Sequence, residues 1–150
     1  MAYINLSQTT KLNRLTVLND MIGANASVVV YDGSYPVTPD QPVGANTLVT
    51  FACNPTTFGN VSVIQAIVSN TVSNTTSIAN VVSLTSLLFP PALASANGIA
   101  GWARISDVNG NAVVDLDVGL ANSGTSIVMN STDLIANIPV QIVSIQITEQ

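Results

Sequence analysis

The sequence has no histidine, and its 150 residues include a single cysteine, Cys53. Without histidine, the side chain that most often carries a proton at neutral pH is missing. A His/Cys metal site is excluded, and a disulfide framework needs a second cysteine. Basic residues are nearly as scarce: three Lys and Arg cannot build a phosphate-neutralising patch, which excludes a basic nucleic-acid binder. Charged residues of both signs are 7% of the chain, against roughly 25% in an average soluble domain. From Gln41 to Ala103 there is none at all. Long apolar runs are also lacking. The most apolar stretch, Val81 to Ala94, is interrupted by Ser83, Thr85, Ser86, Pro90 and Pro91, which is too short and too broken for a membrane span. The amino terminus has neither the basic start nor the apolar run of a secretion signal.

What is present is an apolar fraction of 47%, enough to bury a full core at this length and too high for a disordered chain. Ser, Thr and Asn number 46, and they must cover the surface that charge leaves bare. A monomeric protein normally spreads charge over its surface for solubility. A charge-free stretch this long therefore predicts strands buried twice, once in a core and once against neighbouring subunits. The plainer alternative is a neutral, Thr- and Asn-rich surface facing water.

One helix is predicted, over 9–22. Leu12, Leu15, Leu18 and Ile22 recur at spacings of three and four, with Lys11, Arg14 and Asp20 on or near the other side. Ser7 or Thr10 can cap its start, and Gly23 can end it. The helix packs on a sheet with a solvated outer face, or serves as a docking arm through Lys11 and Arg14. Residues 1–8 are expected to be an arm whose Tyr3, Ile4 and Leu6 order on docking. Residues 9–150 are expected to form one domain.

After Gly23 the sequence reads as strand. Ser27 to Tyr31 is a β-branched run ending at the turn pair Asp32-Gly33. A loop spaced by Pro36, Pro39 and Pro42 follows, and such a segment cannot donate to a ladder. Thr47 to Cys53 places Val49, Phe51 and Cys53 on one face. Val61 to Val68, Ser77 to Leu84 and Ser126 to Met129 are further strands. Pro139 opens the last one, in which Val143, Ile145 and Ile147 alternate with polar residues. About eight strands at this spacing predict a mainly β fold: an antiparallel β-sandwich or jelly roll with one amino-terminal α-helix.

The sharpest unit is the hairpin around Asn109-Gly110, a pair that favours a two-residue type I′ turn. That turn sets Trp102 opposite Asp117, Arg104 opposite Asp115 and Ser106 opposite Val113. A four-residue loop gives the same pairs, and a three-residue loop does not. Ala103, Ile105, Val114, Leu116 and Val118 then form the core face. Trp102, Arg104, Asp115 and Asp117 share the opposite face, with Arg104 reaching Asp115 directly and Asp117 diagonally. A large aromatic on a non-core face is an interface candidate.

Three chemical readings are weaker than structural ones. Asp107-Val-Asn-Gly-Asn111 has the oxygen spacing that opens a calcium loop, but the twelfth position is Val118 rather than a glutamate, so a hairpin turn is expected. Asp115 and Asp117 share a strand face like an acid–base pair, yet Arg104 opposite makes them an ion pair. Cys53 lies on an apolar strand face with no cation to activate it.

Several segments, taken in order, resemble a family of small tailed-phage virion proteins. They are the helix Lys11-Leu-Asn-Arg-Leu-Thr-Val-Leu-Asn-Asp-Met-Ile-Gly23, the strand Val28-Val-Val-Tyr-Asp-Gly33 and the proline-containing loop. Gly98-Ile-Ala-Gly-Trp-Ala-Arg-Ile-Ser-Asp107, the Asn-Gly turn, Val113-Val-Asp-Leu-Asp-Val-Gly119 and the Val/Ile/Thr carboxyl-terminal strand follow. The chain differs from the family in having Ala103 in place of an aromatic, and in a longer Asn/Thr-rich middle. The resemblance implies a virion structural protein without catalytic residues or cofactors. Joined to the neutral β surface, it predicts a capsid decoration or cement protein. This would be a homotrimer that clamps the phage major capsid protein, is assembled in the host cytoplasm and binds neither nucleic acid nor membrane. A tail or baseplate component, and a carbohydrate- or receptor-binding β module, are the alternatives.

Overall fold

Ser7 starts the helix by the chemistry its sequence predicts. It is extended, and its Oγ accepts the Thr10 amide at 3.2 Å, which satisfies one of the first-turn N–H groups. Helix α1 then runs Gln8–Ile22 and stops at Gly23, whose φ of 65° suits glycine and whose N–H donates to the Asn19 carbonyl at 3.0 Å. This computed structural model describes residues 6–53, 63–68, 79–85 and 89–149. Tyr3 and Ile4 of the expected arm lie outside the described residues, and Leu6 is half-buried. Leu15 and Ile22 are buried, with Leu12 and Leu18 packed beside them. Lys11 is also buried, which corrects its placement on the solvated side. It stands one turn before Leu15, on the inward stripe, where a long apolar stem can lie along the core.

Eleven strands follow among the described residues: β1 (Ser27–Asp32), β2 (Thr47–Ala52), β3 (Val63–Val68), β4 (Ala79–Thr85), β5 (Ala92–Leu93), β6 (Gly98–Ser106), β7 (Ala112–Gly119), β8 (Ile127–Met129), β9 (Asp133–Leu134), β10 (Pro139–Val140) and β11 (Ile142–Glu149). Eight of them lie side by side in the order β2-β1-β6-β7-β8-β11-β4-β3. β9 pairs with the start of β6, and β5 and β10 form a separate ribbon. The fold is thus mainly β with one amino-terminal helix, and α1 lies against β3 and β4.

The sheet is antiparallel except at one pair. β7 and β8 are parallel, through just two residue pairs, Val118 with Ile127 and Gly119 with Val128. Asp117 helps so short a connection bring the chain back to run alongside β7 in the same direction. Its carboxylate accepts the Ser126 amide at 2.8 Å and holds the returning chain beside the end of β7. Gly119 makes room, since a Cβ there would collide with the Ser123 hydroxyl. Two four-stranded antiparallel halves therefore meet at a short parallel seam, an arrangement compatible with a sandwich or a jelly roll. One apolar cluster takes Val28, Val30 and Phe51 from one half, Ile127, Ile142 and Ile145 from the other, and Leu15 from the helix.

Bulges set which residues reach that cluster. Leu48 has no partner between Val49 and Thr47 in the β1–β2 ladder, so Leu48 and Val49 are buried in succession. Val143 is skipped in the same way between Ile142 and Ser144 of β11. Ile142 is consequently buried, and Val143 is 49% exposed instead of sharing the inward face with Ile145. The Asn-Gly hairpin is the subtlest case. Gly110 has φ 83° while Asn109 stays at negative φ, and the Asp107 amide bonds Asn111 O at 2.9 Å. The loop is therefore a three-residue turn ending in a left-handed glycine, not the predicted type I′ turn. Left alone, it would slip the register by one. A bulge at Val113 takes up the slip, so Ile105 faces Val114, Arg104 faces Asp115 and Trp102 faces Asp117, as predicted. Ser106 faces Ala112 rather than Val113.

Candidate interaction surfaces

The sequence points first to Trp102, Arg104, Asp115 and Asp117. The β6–β7 register brings the four onto one face, and the loop 33–46 closes over Trp102 and Arg104 through Tyr35 and Gln41. Trp102 is 1% exposed. Tyr31, its neighbour on β1, stacks on its ring with centroids 4.5 Å apart, and Tyr35 meets it edge-on at 6.5 Å. Its Nε1–H donates to the Asp32 carbonyl at 3.0 Å. The expectation that this face lies open to a partner is therefore corrected: the chain's own proline-spaced loop covers it. Burial also raises the Tyr31 phenol above its ordinary pKa.

Arg104 fastens this cover. Its Nε and Nη2 donate to the two carboxylate oxygens of Asp115 at 2.7 and 2.8 Å, a bidentate pair with both side chains at most 10% exposed. Its third arm, Nη1, donates to the Gln41 carbonyl of the loop at 3.0 Å, and its guanidinium lies 5.6 Å from the Trp102 ring centre. The Asp115 carboxylate holds this guanidinium above its ordinary pKa. Asp117 holds the Ser126 amide, where a diagonal contact with Arg104 is predicted.

The base of the loop is a second clasp. Asp32 accepts the Asn46 amide and the Asn46 side-chain Nδ2–H, both at 2.9 Å, and these bonds lower its carboxyl pKa. Gly101 is required here, since a Cβ would collide with the Gly33 carbonyl oxygen as the chain turns off β1.

The remaining candidates are absorbed in the same manner. Asp107 accepts the amides of Asn109 and Asn111 and the Asn111 side chain, so its oxygens serve the hairpin turn and its carboxyl pKa is lowered. Burial pushes the Cys53 thiol up to about 12, which keeps it protonated. Among the described residues no group of three His, Cys, Asp or Glu side chains is placed to hold a metal ion. No helix among them is long and apolar enough to cross a membrane.

Two groups of exposed aliphatic side chains stand out among the described residues. β5, β9, β10 and the start of β6 form a small platform held by backbone and Asn bonds. The Ala94 amide donates to Ile138 O at 3.1 Å, and the Asn137 amide to Ala94 O at 2.8 Å. The Ala136 amide donates to Asn97 Oδ1 at 2.7 Å. Its inner side chains, Ala94, Leu134 and Val140, join the core, while Leu93, Ile99, Ile135 and Ile138 are each more than half exposed. A second apolar strip lies on α1, where Arg14, Val17, Leu18 and Met21 line an open groove with Ile147 of β11. Arg14 is the sequence candidate that falls on this strip.

Sequence reasoning missed the platform because it looked for aromatics and charge. One signal was available: on a strand adjacent residues point to opposite faces, so of Leu134 and Ile135 just one can reach a core. No protein-family model, no curated protein and no solved structure matches this chain.

Proposed function

We propose that this chain is a structural protein of a tailed-phage particle, a capsid decoration or cement protein that binds by surface complementarity and catalyses nothing. The observation that carries the reading is the aliphatic platform, whose four exposed side chains sit on a hydrogen-bonded backbone in a chain with very little charge. Isolated exposed leucines are ordinary, but clustered ones rimmed by polar residues mark protein contacts, and here the exposed Asp133 lies opposite Ile99. Burying the exposed parts of four such side chains contributes roughly 3–6 kcal/mol before association costs. That is weak singly and strong when repeated over a lattice of identical sites. The motif resemblance supports the same reading and supplies the partner, the major capsid protein. The chain then acts as a homo-oligomer, read as a trimer, in the virion.

A cryo-electron map of the particle encoded with this chain tests the proposal. The expected result is density for the chain on the outer shell, with the platform at a subunit contact. Density in the tail or baseplate would replace the decoration role with the tail role. Absence of the chain from finished particles would reject both.

A further inference from the structure

The chain contains two Asn-Gly pairs, Asn97-Gly98 and Asn109-Gly110, and the fold treats them oppositely. Asn-Gly is the pair most prone to spontaneous deamidation, because glycine puts no side chain in the path of ring closure. The backbone nitrogen of Gly, after giving its proton to solvent base, attacks the Asn side-chain carbonyl carbon. The new C–N bond closes a cyclic imide as the bond to the side-chain nitrogen breaks, and that nitrogen leaves as ammonia. Water then opens the imide at either carbonyl to give aspartate or isoaspartate, with no oxidant or reductant involved.

We infer that Asn109 is a modification site that converts to aspartate and isoaspartate in the folded protein, and that Asn97 is protected by the fold. At Asn97 the side-chain oxygen is held by the Ala136 amide at 2.7 Å. Its Gly98 is locked in β6 opposite Leu134, in a position where even a Cβ would come within 2.7 Å of Leu48. Ring closure there must break the platform. At Asn109 the residue is exposed, the carboxamide makes no hydrogen bond to the described residues and the backbone bond to open is a single turn contact, Gly110 N–H to Asp107 O at 3.0 Å. The product places a new carboxylate at the tip of the β6–β7 hairpin, two residues from Asp107, and isoaspartate adds a methylene to its three-residue loop.

The test is to incubate the full-length protein at mildly alkaline pH, folded and in urea, and to map both sites by peptide mass spectrometry that separates isoaspartate. In the folded protein the Asn109 peptide should gain one mass unit severalfold faster than the Asn97 peptide, with isoaspartate the major product. In urea the two rates should converge. Asn109→Gln should abolish the fast phase. Equal rates at the two sites in the folded protein, a faster Asn97, or a fast phase that survives Asn109→Gln would each overturn the inference.

Discussion

The cluster under the 33–46 loop and the platform around β5, β9 and β10 exchange the roles their residue types predict. Trp102 and Arg104, residue types enriched at protein interfaces, are sealed with Asp115 within one chain. Leu93, Ile99, Ile135 and Ile138, a set typical of cores, face outward. The difference lies in what covers each set. A loop stiffened by three prolines and clasped by Asp32–Asn46 and Arg104–Gln41 lies over the first, whereas the second is exposed among the described residues. Residue type alone therefore does not decide which surface is free to bind.

The largest effect that sharpens this contrast is at Trp102. Trp102→Ala removes a buried ring, its stack on Tyr31 and its bond to Asp32, and should lower stability by about 3–5 kcal/mol in urea denaturation. Trp102→Phe keeps most of the packing and should cost less. A loss below about 0.5 kcal/mol for Trp102→Ala would move this residue back to the open surface.

Asp115→Ala comes next. It leaves a mostly buried guanidinium with Gln41 O as its one hydrogen-bond acceptor among the described residues, and should cost about 3 kcal/mol. The double variant Arg104→Met, Asp115→Leu should recover much of that loss, because no charge is then stranded. If the double variant is no more stable than the single one, the pair is doing more than neutralising itself, and the loop anchor at Gln41 becomes the main contribution.

These two sites also show what was legible in the sequence. The face shared by Trp102, Arg104, Asp115 and Asp117 follows from the period of two along a strand and from the turn position, and it holds. The turn type does not: Asn109-Gly110 takes a three-residue loop, and the bulge at Val113 restores the register. Bulges leave little trace in a sequence, and for that reason Leu48, Val143 and Val113 are the residues whose faces or partners are misread. The helix and its ends were legible because Ser7, Gly23 and the leucine spacing act locally, whereas the inward place of Lys11 was not. The cover over Trp102 was not, since it depends on a contact between Arg104 and Gln41 across 63 positions. The platform was hidden for a related reason: it is assembled from four short segments, none long enough to show a period.

A smaller effect concerns acid. Asp32 and Asp107 both titrate below the ordinary carboxylate range because amide groups bond their charged forms. A lowered folded pKa means that the stabilisation is present above the unfolded pKa and is lost as pH falls through the folded value. Stability should therefore decline from about pH 4 downward. Asn46→Ala should remove the Asp32 share of that slope, and Asn111→Ala part of the Asp107 share, both read as urea midpoints against pH. An unchanged slope in Asn46→Ala would show that the clasp does not form in solution and that the cover over Trp102 is held by Arg104 alone.

The smallest effect on stability should come from the platform, and it is the one that separates folding from binding. Ile135→Ser and Ile138→Ser alter side chains that are 58% and 54% exposed, so each should change stability by no more than about 0.5 kcal/mol. If the platform is a contact surface, the same variants should lower the oligomeric mass in light scattering or the occupancy on particles, and the pair together should lower it further. Trp102→Phe gives the opposite profile, a loss of stability with assembly unchanged. Should Ile135→Ser and Ile138→Ser assemble like the parent while Val17→Ser on the helix strip does not, the contact belongs to α1 and the platform is an ordinary apolar surface. Burial within the chain and burial against a partner draw on the same hydrophobic energy, so only stability and assembly measured together reveal which of the two a variant has removed.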